Sequence, residues 1–436
     1  MSCAIRASNR IRIGCGLGLL LLLGGAGSSS AWAQAGGAGG TGAGGAGGAT
    51  STTPSCADAT MFPNPIVLTG SSAFEPTASY FAAKAAALSP PVTVIYNATG
   101  SCTGVAAVTG STRAPLTKTG HVYKTMDAAG KPVQSSCQLD AASAAPIYGD
   151  IGVSDVFYES CGLGARPATI GDLQGPVQAM LMIVNAANTG VQALSAEQAA
   201  AIWGCGANKV AGFTDDTSAA GIQQRDMNSG TQILIAKNIG VPEGAFKGKS
   251  ASGSGALADA VAAQAAATTG IGFVAADTYK SKVSAGAAIH SLAFRGLGQT
   301  KAFYADSVAS AQDRRNVRDG HYVIAGPEHF VVTLTNGAPS AAAQKFIDWV
   351  NGNTMVDASA STWIDLEATA GTIPQCAMRV AHTSDGGPMT PYAPAKPCGC
   401  YFESKATGMA APTGCTACSA TVPCAGGKTC SYGFCE

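Results

Sequence analysis

The 436-residue chain has little charge. Lys plus Arg total 26, Asp plus Glu total 26, and charged residues make up only 12% of the sequence. That leaves no basic field to gather nucleic acid or anionic lipid, so a nucleic-acid coat protein is excluded. Long apolar runs are also missing. The run from Gly14 to Gly25, centred on Leu19 to Leu23, is far short of the ~20 residues that span a bilayer, and no later stretch is longer, so no membrane span is expected in the mature chain. The histidines, His121, His290, His321, His329 and His382, form no H-E-x-x-H or other close ligand pair, and neither a metal nor a cofactor is expected. There is no repeat of solenoid length. No G-X-Y period holds beyond one short tract, which excludes a collagen.

Cysteine is abundant, at 15 residues, and its meaning depends on the redox compartment. Arg6, Arg10 and Arg12 precede the leucine run, and small residues follow it up to Ala31-Trp32-Ala33. This is the pattern of a secretory signal peptide with an A-x-A site cut after Ala33, which places the protein in the periplasm or outside the cell. A lipoprotein would need its Cys directly after the apolar run, whereas Cys15 lies before the leucines. Cleavage would leave an odd number of cysteines, most of them expected to pair. Cys56, Cys102, Cys137, Cys161 and Cys205 are spread through a body, Cys376 stands at its end, and the remainder crowd between Cys398 and Cys435.

The expected organisation is a signal peptide (1–33), a Gly/Ala-rich flexible linker (34–55), a globular body (56–375) and a Cys-rich, disulfide-stapled tail (376–436). Residues 34–54 have nothing to bury. From Pro65 onward, apolar runs alternate with Ala-rich stretches. Strands are expected at 66–69, 92–96, 151–153, 177–184, 271–274 and 322–325, and helices at 73–88, 196–203, 231–239, 256–267 and 341–350. The alternation predicts an α/β body with mainly parallel sheets. Residues 106–148 break the rhythm and read as an insertion or long loop. The tail is too poor in Leu, Ile and Val to form a core without cross-links.

Three small-residue turns sit where a strand ends or a helix begins: Thr69-Gly70-Ser71-Ser72-Ala73-Phe74, Thr99-Gly100-Ser101-Cys102-Thr103-Gly104, and Gln224-Arg225-Asp226-Met227-Asn228-Ser229-Gly230-Thr231. Each offers helix N-terminal N–H groups and hydroxyls, an arrangement that binds an anion without formal positive charge. The third adds a guanidinium able to grip two oxygens of a tetrahedral oxyanion. Taken singly, each turn is equally an ordinary N-cap.

In their order along the chain these turns resemble the phosphate-binding-protein family of type 2 periplasmic solute receptors, the soluble component of phosphate ABC importers. The resemblance runs from Ile66 to Val350. It includes Asp150-Ile151-Gly152-Val153-Ser154-Asp155, the strand at Met180 to Asn185, Leu194 to Gly204, the R-x-x-x-S-G-T helix start and Gly270-Ile271-Gly272-Phe273-Val274. It implies a two-lobed α/β fold, lobe 1 at about 62–170 and 319–372 and lobe 2 at about 171–318, extended by the disulfide-rich tail. It also implies an anion clamped between the lobes of a monomeric, non-enzymatic receptor that would present inorganic phosphate, or a similar oxyanion, to an ABC permease. Carried over by motif, the ligand-binding residues are Ser71, Ser72, Ala73, Phe74, Ser101, Asp155, Arg225, Asn228, Ser229, Gly230 and Thr231. Asp155 would accept from a protonated oxyanion and so favour phosphate over sulfate, which has no proton to give.

Two positions depart from the family pattern. Ala73 stands where the family commonly has Thr, and Met227 where it commonly has Asp. Ser71 or Ser72 would then supply the missing hydroxyl, and Asp226 or another carboxylate would orient Arg225. A Cys102 to Cys137 disulfide is expected to close the insertion onto the site. Gly248-Lys249-Ser250 resembles a P-loop ending, but Glu243 occupies the place of the required first Gly. No His and acid arrangement accompanies a candidate Ser or Cys nucleophile. The alternative function is a secreted interaction or adhesion protein with a degenerate pair of lobes and a Cys-rich recognition tail.

Overall fold

The computed structural model describes residues 53–436 apart from 111–112, 140–145, 207–209, 214–220, 265–269 and 358, plus two short strands, Ile5–Arg6 and Arg12–Ile13. Those two strands pair antiparallel within a first compact unit, Met1–Thr53. Otherwise the expected signal peptide and nearly all of the expected linker lie outside the described residues. The second unit, Pro54–Glu436, holds the body and the tail.

Its elements follow in order: Ile66–Gly70 (β1), Glu75–Ala86 (α1), Val94–Ala98 (β2), Ser101–Thr109 (α2), Thr119–Met126 (β3), Pro132–Gln138 (β4), Ile151–Ser154 (β5), Ile170–Asn185 (β6), Ala196–Cys205 (α3), Gly230–Ile239 (α4), Ser254–Ala262 (α5), Ile271–Ala275 (β7), Ala276–Ser284 (α6), Ala325–Thr333 (β8), Ala341–Val350 (α7), Thr362–Ala370 (α8) and Gly399–Thr407 (α9). The main sheet runs β7-β6-β8-β5-β1-β2-β3-β4. The fold is α/β, but the sheet is mixed. β1 is parallel to β2 and β5, while β8 runs antiparallel to both β5 and β6, and β6 antiparallel to β7.

The expectation of mainly parallel sheets fails at β6. Its first half, residues 170–179, pairs with β8, and its second half, 180–184, pairs with β7. Only residues 177–184 were expected from sequence, and Gly171, Gly175 and Pro176 interrupt the pattern before them. Those glycines are used for packing: a Cβ at Gly175 would stand 2.4 Å from the Phe330 ring. β6 thus runs through two apolar cores. One gathers Phe74, Phe81, Phe330, Phe346 and Trp349 around β1, β2 and β8. The other stacks Trp203, Phe246 and Phe273, with ring centroids 5.4–6.3 Å apart.

Residues 106–148 are not one long loop. They include the last turn of α2 and the β3–β4 hairpin, which extends the sheet edge beyond β2. The expected Cys102–Cys137 bond is replaced by two others, Cys56–Cys137 and Cys102–Cys161. The reason is local. The end of β4 pairs with the segment at Ser55, where Cys56 N–H donates to the Gln138 carbonyl at 2.8 Å. The first turn of α2 packs instead on the short 3-10 helix Tyr158–Cys161. Cys205 is disulfide-bonded as well.

In the tail, Cys376–Cys398, Cys400–Cys415, Cys418–Cys430 and Cys424–Cys435 close among themselves. The sulfurs of Cys418, Cys424 and Cys435 cluster, but all three are spent in disulfides and none is left as a thiolate for a metal. The tail also docks on the body. Glu403 of α9 pairs with Arg315 and, at 3.0 Å, with buried Arg318, and Tyr401 donates to Asp365 of α8 at 2.9 Å. No described helix is long and apolar enough to cross a membrane.

Candidate functional site

Four helix starts meet near the C-terminal ends of β1 and β5. β1 ends at Gly70, whose φ of +139° and close approach to the Val153 carbonyl leave no room for a side chain. The turn Ser71-Ser72-Ala73-Phe74 then leads into α1 without a side-chain cap. α2 opens at Ser101 behind Gly100, also uncapped. α4 opens at Gly230 behind its cap Ser229. The fourth, α5, opens at Ser254 behind Gly253, again uncapped. Uncapped first turns leave backbone N–H groups for another acceptor; of these, Cys102 N–H is taken by the Asn228 carbonyl at 3.0 Å and Ser254 N–H by Ser72 Oγ at 3.2 Å.

Asp155, just past β5, is 2% exposed and is the hub of the closed end. Its carboxylate accepts from the Ser71 hydroxyl and, at 2.8 Å, from the Thr231 hydroxyl. Its own N–H points at Ser101 Oγ at 3.4 Å. Gly230 fits against the same group: a Cβ there would stand 2.6 Å from Ser101 Oγ and 3.0 Å from Asp155 Cβ. A carboxylate has about four acceptor positions, so two donors do not saturate it.

Arg225 is the other pole. It is 3% exposed, and among the described residues no carboxylate lies within ion-pair distance of it. Its Nη1 donates to Ser254 Oγ at 3.0 Å and Ser72 Oγ at 3.3 Å, while its backbone N–H is held by Gln232 Oε1 at 2.8 Å. The buried Nε–H has no hydrogen-bond partner. Burial pulls its proton affinity down, and the Asp226 and Asp155 charges push it back up. Asp226 does not orient the guanidinium as expected: it is exposed and accepts from Asn228 N–H at 2.9 Å. Ser72 and Ser254 orient it instead.

The structure therefore brings together Ser71, Ser72, Ser101, Asp155, Arg225, Gly230 and Thr231, with Ser229 buried at its cap position. Ala73 and Phe74 are buried in the turn, where Phe74 packs edge-on to Phe330 at 5.4 Å and belongs to the core. Asn228 lies apart from this buried group. It is exposed, and what it supplies is a backbone carbonyl accepting from Cys102 N–H at 3.0 Å, joining the starts of α4 and α2. Ser254 was missed. Its signal was present in Ser252-Gly253-Ser254-Gly255, a small-residue turn before an Ala-rich helix like the other three.

Behind Asp155 lies a set of buried acids. Glu328 is fully buried with both carboxyl oxygens unpartnered, and burial, then the Asp155 and Asp277 charges, hold it well above the usual carboxylate range. Asp277 is pushed up to about 7, first by burial, against hydrogen bonds from Thr278 N–H, Gln178 and Thr77 that lower it. A cavity of about 770 Å³ adjoins the site and is lined in part by Ser72 and Ser254.

No protein-family model matches the chain, and no curated protein matches it. Solved structures similar to it include one described as a phosphate ABC-transporter substrate-binding protein with bound phosphate from Clostridium perfringens, at 15% identity and a TM-score of 0.47, covering 71% of this chain and 99% of that one. An ABC-type phosphate transport receptor from Vibrio cholerae is similar at 16% identity and a TM-score of 0.42, over 71% and 99% of the two chains. The reduced regulatory domain of OxyR2 from Vibrio vulnificus is similar at 8% identity and a TM-score of 0.35, over 66% and 94%.

Proposed function

We propose that the protein is an exported solute-binding protein that holds an inorganic oxyanion, phosphate above others, where the starts of α1, α2, α4 and α5 meet. The two apolar cores that share β6 would be its two lobes, with the anion between them. The observation that carries the reading is Arg225: a buried guanidinium that among the described residues has no carboxylate partner and an unmade Nε–H, set among hydroxyls and helix starts. A buried charge left unpaired is strongly destabilising. An anion accepting from the guanidinium and the helix N–H groups removes that penalty. Asp155 gives the selectivity, since its carboxylate accepts from a protonated oxyanion and repels a fully ionised one.

Non-enzymatic action is part of this reading: the hydroxyls, helix N–H groups and guanidinium gathered here are donors that bind and orient an anion. An ABC permease would take the released anion. Calorimetric titration of the purified protein with phosphate, sulfate, arsenate and molybdate tests the reading. The expected result is micromolar or tighter binding of phosphate and arsenate and weaker binding of sulfate. Asp155→Asn should narrow the phosphate preference over sulfate by roughly 10- to 100-fold, the worth of about 1–3 kcal/mol for the lost acceptor and the removed repulsion. No heat with any oxyanion would refute the receptor and favour the interaction protein; equal binding of sulfate and phosphate by the unaltered chain would remove the role given to Asp155.

A further inference from the structure

The anion site has a closed end and an open end. Asp155, Ser101 and Thr231 lie at the closed end, each no more than 2% exposed, and none of them reaches the adjoining cavity. Ser72 and Ser254 do line it, and both hold the Arg225 guanidinium. The cavity of about 770 Å³ therefore begins at the hydroxyls that touch the cation. That volume lies in the range of small-molecule sites, ~300–1,000 Å³, and is many times what a lone tetrahedral anion fills.

The far wall of this cavity is specific to the insertion. Tyr123 and Gln134 of the β3–β4 hairpin and Lys131 at its turn face it, opposite Gly253 and the start of α5. The hairpin is fastened in place. Cys137 of β4 is bonded to Cys56, and His121 Nδ1 and Tyr123 OH both engage Glu75 Oε1, at 2.5 and 2.8 Å. The charged lining holds Lys131, Lys280, Lys282 and Lys405 against Glu75, which the hairpin engages; Lys282 pairs with Asp259 at 2.6 Å, Lys405 with Asp365 at 3.4 Å, and Lys280 donates to the Ala368 carbonyl at 2.9 Å, so Lys131 at the hairpin turn is the lysine most open to a ligand. Tyr80 and Tyr123 add aromatic surface.

We propose that the ligand is a phosphate monoester of a small polyhydroxyl alcohol, its phosphoryl group held by Arg225 and the helix starts and its organic part lying in the cavity between the hairpin and α5. This rests on the oxyanion reading above and deepens it. The orientation is set by the polarity of the site. The monoester would bind as its monoanion, its one protonated terminal oxygen donating to Asp155 and the other two facing Ser101 and the guanidinium, while the ester oxygen faces Ser72 and Ser254, the direction in which space is open. Hydroxyls of the alcohol would meet Gln134 and the tyrosine hydroxyls, and any further negative charge would meet Lys131. A phosphodiester is excluded, because its second substituent would have to enter the closed end.

Titration with inorganic phosphate, glycerol 3-phosphate, glucose 6-phosphate and a dimethyl phosphate control tests this, with competition between phosphate and the monoesters. A monoester should bind at least as tightly as inorganic phosphate and displace it, while the diester should not bind. Ser252→Trp, at an exposed position on the cavity wall, should weaken monoester binding at least 10-fold and leave inorganic phosphate within twofold. Lys131→Glu, at the exposed hairpin turn, should weaken the monoester in the same direction without filling the cavity. If inorganic phosphate binds and neither monoester binds or competes, the monoester proposal is overturned and the oxyanion reading stands. The monoester proposal is equally overturned if each variant changes phosphate and monoester affinity alike. If neither phosphate nor monoester binds, the oxyanion reading itself has failed.

Discussion

Replacing Arg225 by methionine separates a ligand-holding cation from a structural one, because the two roles give opposite signs for stability without anion. In anion-free protein the guanidinium is buried, has no carboxylate within ion-pair distance among the described residues, and carries an unpartnered Nε–H. An unmade buried donor costs ~1–3 kcal/mol. The hydroxyls that the guanidinium bonds, Ser72 and Ser254, lie 3.4 Å apart and keep each other as partners once it is gone. Asp155 loses a nearby positive charge but keeps the Ser71 and Thr231 hydroxyls. Arg225→Met should therefore be more stable than the unaltered chain by about 1 kcal/mol in anion-free buffer. With anion the order reverses. At a phosphate concentration of 1,000 times Kd the unaltered chain gains ~4 kcal/mol. The variant loses two charge-assisted bonds of ~1.5–3 kcal/mol each, so its affinity falls by at least ~100-fold and its gain at the same phosphate drops to ~1 kcal/mol. Urea unfolding with and without phosphate reads both quantities in one experiment. A variant at least 2 kcal/mol less stable without anion, yet keeping the full phosphate increment, would refute the reasoning and make Arg225 a structural residue.

Two further perturbations follow from buried groups around the site. Cys102–Cys161 has a sequence separation of 59 residues and ties the start of α2, which carries Ser101, to the segment just after Asp155. The double variant Cys102→Ala, Cys161→Ala should lose ~4 kcal/mol by loop-closure entropy and bind the anion more weakly as Ser101 drifts from Asp155; urea midpoints unchanged within ~1 kcal/mol would contradict it. Asp277 is fully buried and raised to about 7 by desolvation. Its folded-state value lies above the unfolded ~3.9, so its contribution is fully present below about pH 4 and is lost as pH rises towards about 7. Asp277→Asn should match the unaltered chain at pH 4 and exceed it by up to roughly 4 kcal/mol at pH 8, and parallel stability profiles from pH 4 to 8 would show that the carboxyl is not held protonated.

Features that depend on adjacent residues were legible in the sequence. The turns at Ser71, Ser101 and Ser229 announce helix starts through Gly, Ser and Thr, and an Arg four places before a Ser cap is the guanidinium that the fold buries among hydroxyls. What the sequence hid depends on distance along the chain. Ser254 reads as one more small residue until the fold sets it against Ser72, 182 positions earlier. The first half of β6 reads as a loop because its Gly and Pro weaken the strand pattern, and only the Phe330 ring shows why Gly175 is there. The cysteines show the limit most clearly. The tail closes within itself, as its crowding implied. The body pairing Cys102–Cys161 could not be read from spacing, because it follows from which element α2 packs against.

That same distinction bears on the insertion. Read as sequence, 106–148 is an insertion or long loop that breaks the strand and helix rhythm. Folded, it places β3 and β4 at the sheet edge, fastens them through Cys56–Cys137 and Glu75, and presents Tyr123, Lys131 and Gln134 across from the turn that holds Arg225. A decayed site would be expected to lose its buried charges first, since each is costly once its ligand no longer binds. Arg225 and Asp155 are both retained, each at most 3% exposed. The departures at Ala73 and Met227 are met by Ser71, Ser72 and Ser254, which supply the hydroxyls on Asp155 and Arg225. An altered ligand, larger than the anion alone, accounts for the kept charges and the added wall together, whereas lost binding accounts for neither.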